Sequence, residues 1–485
     1  MRVATVWTRL APALLPFADA ATAELPLPRL LRLSLFQVSV GMATVLLIGT
    51  LNRVMIVEMG VSAWLVALMV ALPLAVAPFR AVIGFRSDTH RSLLGWRRVP
   101  YLWMGTMLQF GGLAIMPFAL IVLSGDTHGP VWVGHVGAAL AFLLVGAGLQ
   151  TAQTAGLALA TDLAPEASRP RVVALMSVML LVGMVASGLV FGVLLADFSQ
   201  VKLVQVVQGA ALATMLLNGI ALWKQEPRAP SRTDPATPRP SFSDTWRRLV
   251  SRPGAVRFLV VTGLGTAAFA MQDIVLEPYG GEILGLGVGA TTMLTALMAA
   301  GALVAFSLAA RWLARGADPH RVAAVGLVVG LGAFSAVIFA EPLASPLLFR
   351  FGATAIGFGG GLFSAGTLIA AMQLDDRTGT AGDARFTGMT LGAWGAVQAT
   401  AAGLAIGTGG ALRDLVSAAA VDGRLGSALM HPATGYSFVY HVEMLLLFAT
   451  LAALGPLVRR RDANDSSEPT HPFRTATLGL AESRG

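Results

Sequence analysis

Stretches of about twenty largely apolar residues recur along this chain, and they constrain its fold more than any motif. A helix of that length crosses the hydrocarbon core of a bilayer, where each backbone amide must be satisfied inside the chain's own structure. Such runs lie at 33–52, 61–79, 100–123, 132–157, 172–195, 203–223, 257–277, 288–310, 322–341, 346–372, 387–408 and 436–457. The run at 346–372 is the least regular, because it carries Arg350 and the glycines Gly357, Gly359, Gly360 and Gly361. The expectation is an all-α integral membrane protein of twelve transmembrane helices.

Only 12% of the residues are charged, against about 25% in a soluble domain. Water would not solvate so apolar a surface, so lipid must face much of it. The 54 glycines suit helices that must approach closely in lipid, where no hydrophobic effect drives them together. The absence of cysteine excludes disulfides, thiolate metal sites and cysteine nucleophiles. A net charge of +8 would fit a nucleic-acid partner, but its distribution points elsewhere. With the N-terminus inside, 29 of the 34 Lys and Arg fall on the cytoplasmic side, leaving Arg53, Lys202, Arg350, Arg413 and Arg424 outside. That asymmetry predicts both termini in the cytoplasm and no role for nucleic acid. Asp19, Glu24, Pro26 and Pro28 argue against a cleavable signal and for an interfacial lead-in over residues 1–32.

Residues 224–256 are rich in Pro, Ser and Arg, a linker composition without a core of its own. They divide the chain into six-helix halves, 33–223 and 257–457, with a cytoplasmic tail at 458–485. Two halves of six spans joined by a long cytoplasmic loop form the layout of the major facilitator fold. The halves also echo each other: Asn52-Arg53 followed by Glu58 corresponds to Gln272-Asp273 followed by Glu277.

Ionisable groups inside a membrane cost about 2.5–3.5 kcal/mol each on insertion scales and are therefore functional candidates. Arg53, Asp273 and Glu277 are the clear cases here, and Glu58, at the outer edge, joins them as a candidate for the same inter-half pair or pocket. Arg53 and Asp273 sit at similar depths on opposite sides of the pseudo-two-fold. They can form an ion pair that shuts the halves, bind a ligand directly, or occupy separate interfacial positions. The loop after the second span, GFRSDTHRSLLGWRR, resembles the signature loop of major facilitators through Gly84, Asp88, Arg97 and Arg98, although its spacing is stretched. In such loops the Asp caps a helix and the arginines bind carboxylates; alternatively the basic residues only set topology. His441 and His135 lie in or near spans, and a neutral imidazole there can ligate the magnesium of a chlorin or bond a neighbouring helix. Gln150, Gln153, Gln272 and Gln398 read as polar glue between helices. No P-loop, HExxH or nucleophile elbow is present, and the glycine run near Gly359 lies inside a predicted span, so it reads as close helix packing.

Several longer words are more specific. LPFADAATAELPLPRLLRLSLFQVSVGMATVLLIGTLNRVMIVE, APFRAVIGFRSDTHRSLLGWRRVPYLWMGTMLQFGGLAIMPFAL, ATDLAPEASRPRVVALM, QDIVLEPYGGEILGLGVG and GFGGGLFSAGTL resemble the PucC/LhaA family of purple phototrophic bacteria. The resemblance runs from about Leu15 to Arg459. It implies a non-enzymatic assembly factor for light-harvesting antenna complexes, with bacteriochlorophyll bound or transiently carried. It also implies antenna α/β polypeptides, and bacteriochlorophyll synthase, as partners in the bacterial inner or intracytoplasmic photosynthetic membrane. The alternative from the residues alone is a proton-coupled secondary transporter of a small solute.

The charge asymmetry predicts that protease cuts the 224–256 loop in sealed inside-out vesicles and spares it in right-side-out ones. The reverse pattern overturns the topology.

Overall fold

A computed structural model describes residues 25–76, 79–80, 83, 87, 96–123, 130–165, 168–226, 247, 250–251, 254–376 and 387–458. Among these, eleven helices are long and apolar enough to cross a membrane, and one further apolar helix, Ala63–Leu74, is shorter. They fall on the twelve predicted segments. Numbered in chain order they are α1 (Leu27–Thr44, continuing through π-helical turns at Val45–Leu51 and Val54–Glu58), α2 (Ala63–Ala75), α3 (Val99–Leu123), α4 (Val131–Leu163), α5 (Arg169–Leu194) and α6 (Gln200–Leu222). The second half comprises α7 (Ala255–Ala270, then a 3-10 turn at Met271–Ile274 and a helical coda at Leu276–Glu282), α8 (Val288–Ala314), α9 (Pro319–Ala340), α10 (Pro346–Asp376), α11 (Thr387–Val421) and α12 (Thr434–Leu454).

The helix starts follow local chemistry. Pro26 and Pro28 begin α1, and Pro319 sits at the first position of α9, where a missing N–H costs nothing. Ser199 accepts a hydrogen bond from the Lys202 amide to cap α6, and Asp318 accepts one from His320 to cap α9. Such caps satisfy amides that the helix itself leaves open. The irregular 346–372 segment is one continuous helix. Arg350 lies exposed in its first turns, and the glycines form its packing face. A Cβ at Gly361 would sit 2.9 Å from the Ala302 Cα in α8, and one at Gly359 would sit 2.7 Å from the Gly326 carbonyl in α9.

Within the halves, α3 packs along α4, and α10 lies between α8 and α9. The halves meet along two seams, α5 with α8 and α2 with α11. Both seams are cut by glycine. A Cβ on Gly188 of α5 would come within 2.7 Å of the Ala296 methyl, and one on Gly410 of α11 would overlap the Ala67 methyl of α2. Both contacts lie toward the side of the bundle opposite the linker. On the linker side Arg98 is buried and paired with Asp162 at 3.1 Å, with Arg97 3.6 Å from the same carboxylate. Glu226 accepts from the backbone amides of Arg97, Arg98 and Val99 at the start of α3, where the helix dipole favours an anion. Gly84 and Asp88 lie outside the described residues.

Overpacking a well-packed interface costs about 1–3 kcal/mol. Gly410→Leu therefore lowers the thermal unfolding temperature in detergent, whereas Gly407→Ala, where a Cβ meets nothing within 4 Å, does not. Equal stability of the two variants would mean the α2–α11 seam is not closed.

Candidate functional site

The candidate site is built where α1 and α7 both lose regular geometry, at corresponding places in the two halves. α1 widens into π turns at Val45–Leu51 and Val54–Glu58, and α7 tightens into a 3-10 turn at Met271–Ile274. π turns cluster at functional positions because each inserts a residue and re-aims those that follow. A broken helix in lipid must also find new partners for its freed backbone. Asn52 supplies them: its side-chain amide donates to the Asp273 carbonyl at 2.9 Å and to the Ile274 carbonyl at 3.3 Å.

Around this junction the polar side chains are closely packed. Thr50 and Thr292 hydroxyls pair at 3.2 Å between α1 and α8. The buried Glu277 carboxylate accepts from Thr295. It rests above Gly49, where a Cβ would sit 2.6 Å from the Glu277 Oε1; that glycine makes the room. Arg53, also buried, pairs with Glu58 in its own segment and donates to the Leu286 carbonyl at 3.2 Å. Its guanidinium lies against Gly281, 3.0 Å from where a Cβ would stand.

An Arg53–Asp273 ion pair is therefore not what joins the halves. The π turns bring Glu58 back within reach of Arg53, and the nearer acid takes the guanidinium. Asp273 instead accepts from the Gln272 side chain. The corresponding segments do meet, but through side chains on backbone carbonyls rather than charge on charge. Of the other predicted groups, Gln398 donates to Ser364 at 3.3 Å. His135 is half-buried in α4, and His441 is exposed on α12.

Sequence reasoning missed a second cluster nearby. Arg413 of α11 donates to Glu282 at 2.5 Å, to Tyr436 at 2.9 Å and to Asp414 at 2.8 Å, and stacks over the Tyr436 ring at 4.6 Å. Tyr436 also donates to Glu282 at 2.7 Å. Asp414 accepts from the Trp64 amide at 2.7 Å, so a residue of the second half caps α2 in the first, where Ser62 at the N-cap position makes no such bond. A span ending at 408 leaves Arg413 in an outer loop, yet α11 runs to Val421. Glu443 was missed too: it is fully buried in α12, with neither carboxyl oxygen hydrogen-bonded among the described residues. The intramembrane-acid argument that selects Asp273 selects Glu443 equally. Beside it Tyr279 packs edge-on against Tyr436 and Tyr440, with centroids at 5.5 and 5.7 Å. A further cavity of about 470 Å³ opens between α5 and α6, apolar except for Ser187, Lys202 and Gln205.

The "PUCC protein" family model matches residues 50–462 of this chain. An "Uncharacterized protein in puhA-bchM intergenic region" of Rhodobacter capsulatus is 57% identical over 471 residues, covering 96% of each chain. "Protein PucC" of Rhodovulum sulfidophilum is 57% identical over 422 residues, covering 86% of this chain and 90% of its own. Among solved structures, a bacterial homologue of the human lysosomal transporter Spinster, in an inward-facing, unoccupied conformation, superposes with a TM-score of 0.62 at 15% identity. That match covers 88% of this chain and 95% of the other. The fold is thus that of the major facilitators, in a multi-pass membrane protein.

Residues in contact show coupling of about 0.5–3 kcal/mol in double-mutant cycles, and independent ones add within about 0.5 kcal/mol. An Arg53→Leu/Glu58→Leu cycle, read by thermal unfolding in detergent, gives coupling in the first range. The Arg53→Leu/Asp273→Leu cycle adds. The opposite result restores the direct inter-half ion pair.

Proposed function

The chain belongs to the PucC family, and on that premise we propose that it is an assembly factor for light-harvesting antenna complexes, binding bacteriochlorophyll and delivering it to nascent antenna polypeptides. The observation that carries this reading is the family match over residues 50–462. The antenna α/β polypeptides are the receiving partners, and bacteriochlorophyll synthase is the source of the pigment, in the inner or intracytoplasmic photosynthetic membrane. The termini and the linker face the cytoplasm.

The surface supports the reading as well. Large side chains such as Trp103, Phe118, Trp132, Val193, Leu216 and Phe351 are exposed on the long apolar helices. Lipid tails cover them in isolation, and so would a hydrophobic pigment or another membrane helix. No chemistry is needed for such a handover, since the pigment is made before it arrives. The second reading, a proton-coupled transporter, draws on one observation. Glu277 and Glu443 are buried carboxyls without a salt bridge among the described residues, as a proton-carrying site requires. In that case Glu277, Glu443 and Asp273 would be the coupling groups.

A strain lacking the gene continues to make bacteriochlorophyll while at least one antenna complex falls in abundance, measured as antenna absorbance per cell. Normal absorbance overturns the assembly reading. Purification of the protein in mild detergent separates the two readings: antenna subunits and pigment co-elute with an assembly factor and not with a solute transporter.

A further inference from the structure

We propose that His441 is an axial ligand for the magnesium of a chlorin docked on the lipid-facing side of α12. The proposal rests on the reading above that the cargo is a bacteriochlorophyll, and it names where this chain holds it.

The helix has two distinct faces. Tyr436, Val439, Tyr440, Glu443, Leu447 and Thr450 are buried against the second half. Phe438, His441, Leu445 and Phe448 are exposed, at the three- and four-residue spacing of a single stripe. His441 lies seven residues after Thr434, the start of α12, about 10 Å along the helix axis. The ring therefore lies about two turns inside the helix, in the same stripe as the exposed apolar side chains Phe438 and Leu445 rather than at the helix end. A polar group on a lipid face is expensive unless it is satisfied.

Half of the ring is satisfied. The Nδ1 of His441 lies 2.6 Å from the Ser437 carbonyl oxygen. A carbonyl can only accept, so Nδ1 carries the proton. In a neutral imidazole the lone pair is then on Nε2, the nitrogen with no partner among the described residues. Metal-bound histidines have this arrangement: the nitrogen away from the metal donates to a carbonyl or carboxylate, which orients the ring and strengthens the ligating nitrogen. The magnesium of a chlorin has four ring nitrogens and an open axial position. A neutral imidazole fills it without moving a proton, so the Nδ1 bond persists on binding. Phe438 and Phe448, on either side along the stripe, offer aromatic surface to a flat macrocycle.

Other described histidines lack this disposition. His320 is 3.2 Å from the Asp318 carboxylate, and His431 is 3.6 Å from that of Glu341. Both stand beside acids near helix starts, and His135 makes no bond of the Nδ1-to-carbonyl kind among the described residues. The position of His441 also suits release. A pigment bound on the outside of α12 enters and leaves sideways through the membrane, without opening the bundle, and a receiving antenna helix can approach it directly.

The test is titration of the full-length purified protein, in nanodiscs, with bacteriochlorophyll a, following the visible band that reports axial ligation. Wild type binds with an imidazole-ligated spectrum. His441→Ala weakens binding by at least about 10-fold, and free imidazole restores both the band and the affinity. His135→Ala binds as wild type does. His441→Phe, apolar and of similar size, loses the ligated spectrum and provides a folded comparison if the alanine variant is poorly expressed. Pigment binding by His441→Phe with unchanged affinity and band overturns the assigned ligand but leaves the cargo reading standing. A wild-type protein that binds no pigment while antenna subunits still co-purify overturns the ligand and the cargo together, and leaves the assembly role.

Discussion

A backbone carbonyl in hydrocarbon cannot turn to water, and the architecture of this protein depends on how one such problem is solved. α7 breaks at Met271–Ile274, and the amide of Asn52 takes up the carbonyls of Asp273 and Ile274. Each unsatisfied group there would cost several kcal/mol, so the break in one half is tolerable only while the other half is docked against it. The break in turn displaces the coda Leu276–Glu282. That places Glu277 over Gly49, Gly281 under Arg53, and Glu282 within reach of Arg413 and Tyr436. The contacts of Glu277, Gly281 and Glu282 all lie on that displaced coda.

Much of this was legible from residues alone, and the remainder was hidden for definite reasons. Apolar run length located the eleven described helices long enough to span and the shorter Ala63–Leu74 helix, because the bilayer imposes it. The correspondence between Asn52-Arg53 and Gln272-Asp273 pointed to the correct meeting place, because repeats related by a pseudo-two-fold bring equivalent positions together. It did not identify the bonds. Charge sign suggested Arg53 to Asp273, but reach is decided by π turns, which leave no sharp signature in composition. Arg413 and Asp414 were hidden by a boundary: RDLVS reads as a loop, and only the helix continuing to Val421 brings it against α2 and α12. Glu443 was in plain view, in the middle of an apolar run.

The polar and apolar surfaces of the second half do different work. Inward, Tyr279 packs edge to face against Tyr436 and Tyr440 and helps hold the coda of α7 to α12. Outward, the same α12 presents a histidine among exposed aromatic and aliphatic side chains. A transporter fold of this kind does not need a solute path to be useful. On the proposed reading, its outer flank is the working surface and the packed helices behind it are the support.

Asp414 gives the closed end of the bundle an unusual property. The first turn of α2 is capped by a carboxylate that belongs to the other half. Parting the halves there removes the cap, and the start of a helix of only thirteen residues loses the acceptor that ordered it. Separation at that end is thus not a rigid hinge motion alone. It also strips the first turn of α2 of its cap, which costs about 0.5–2 kcal/mol and couples the order of that turn to the seal between the halves.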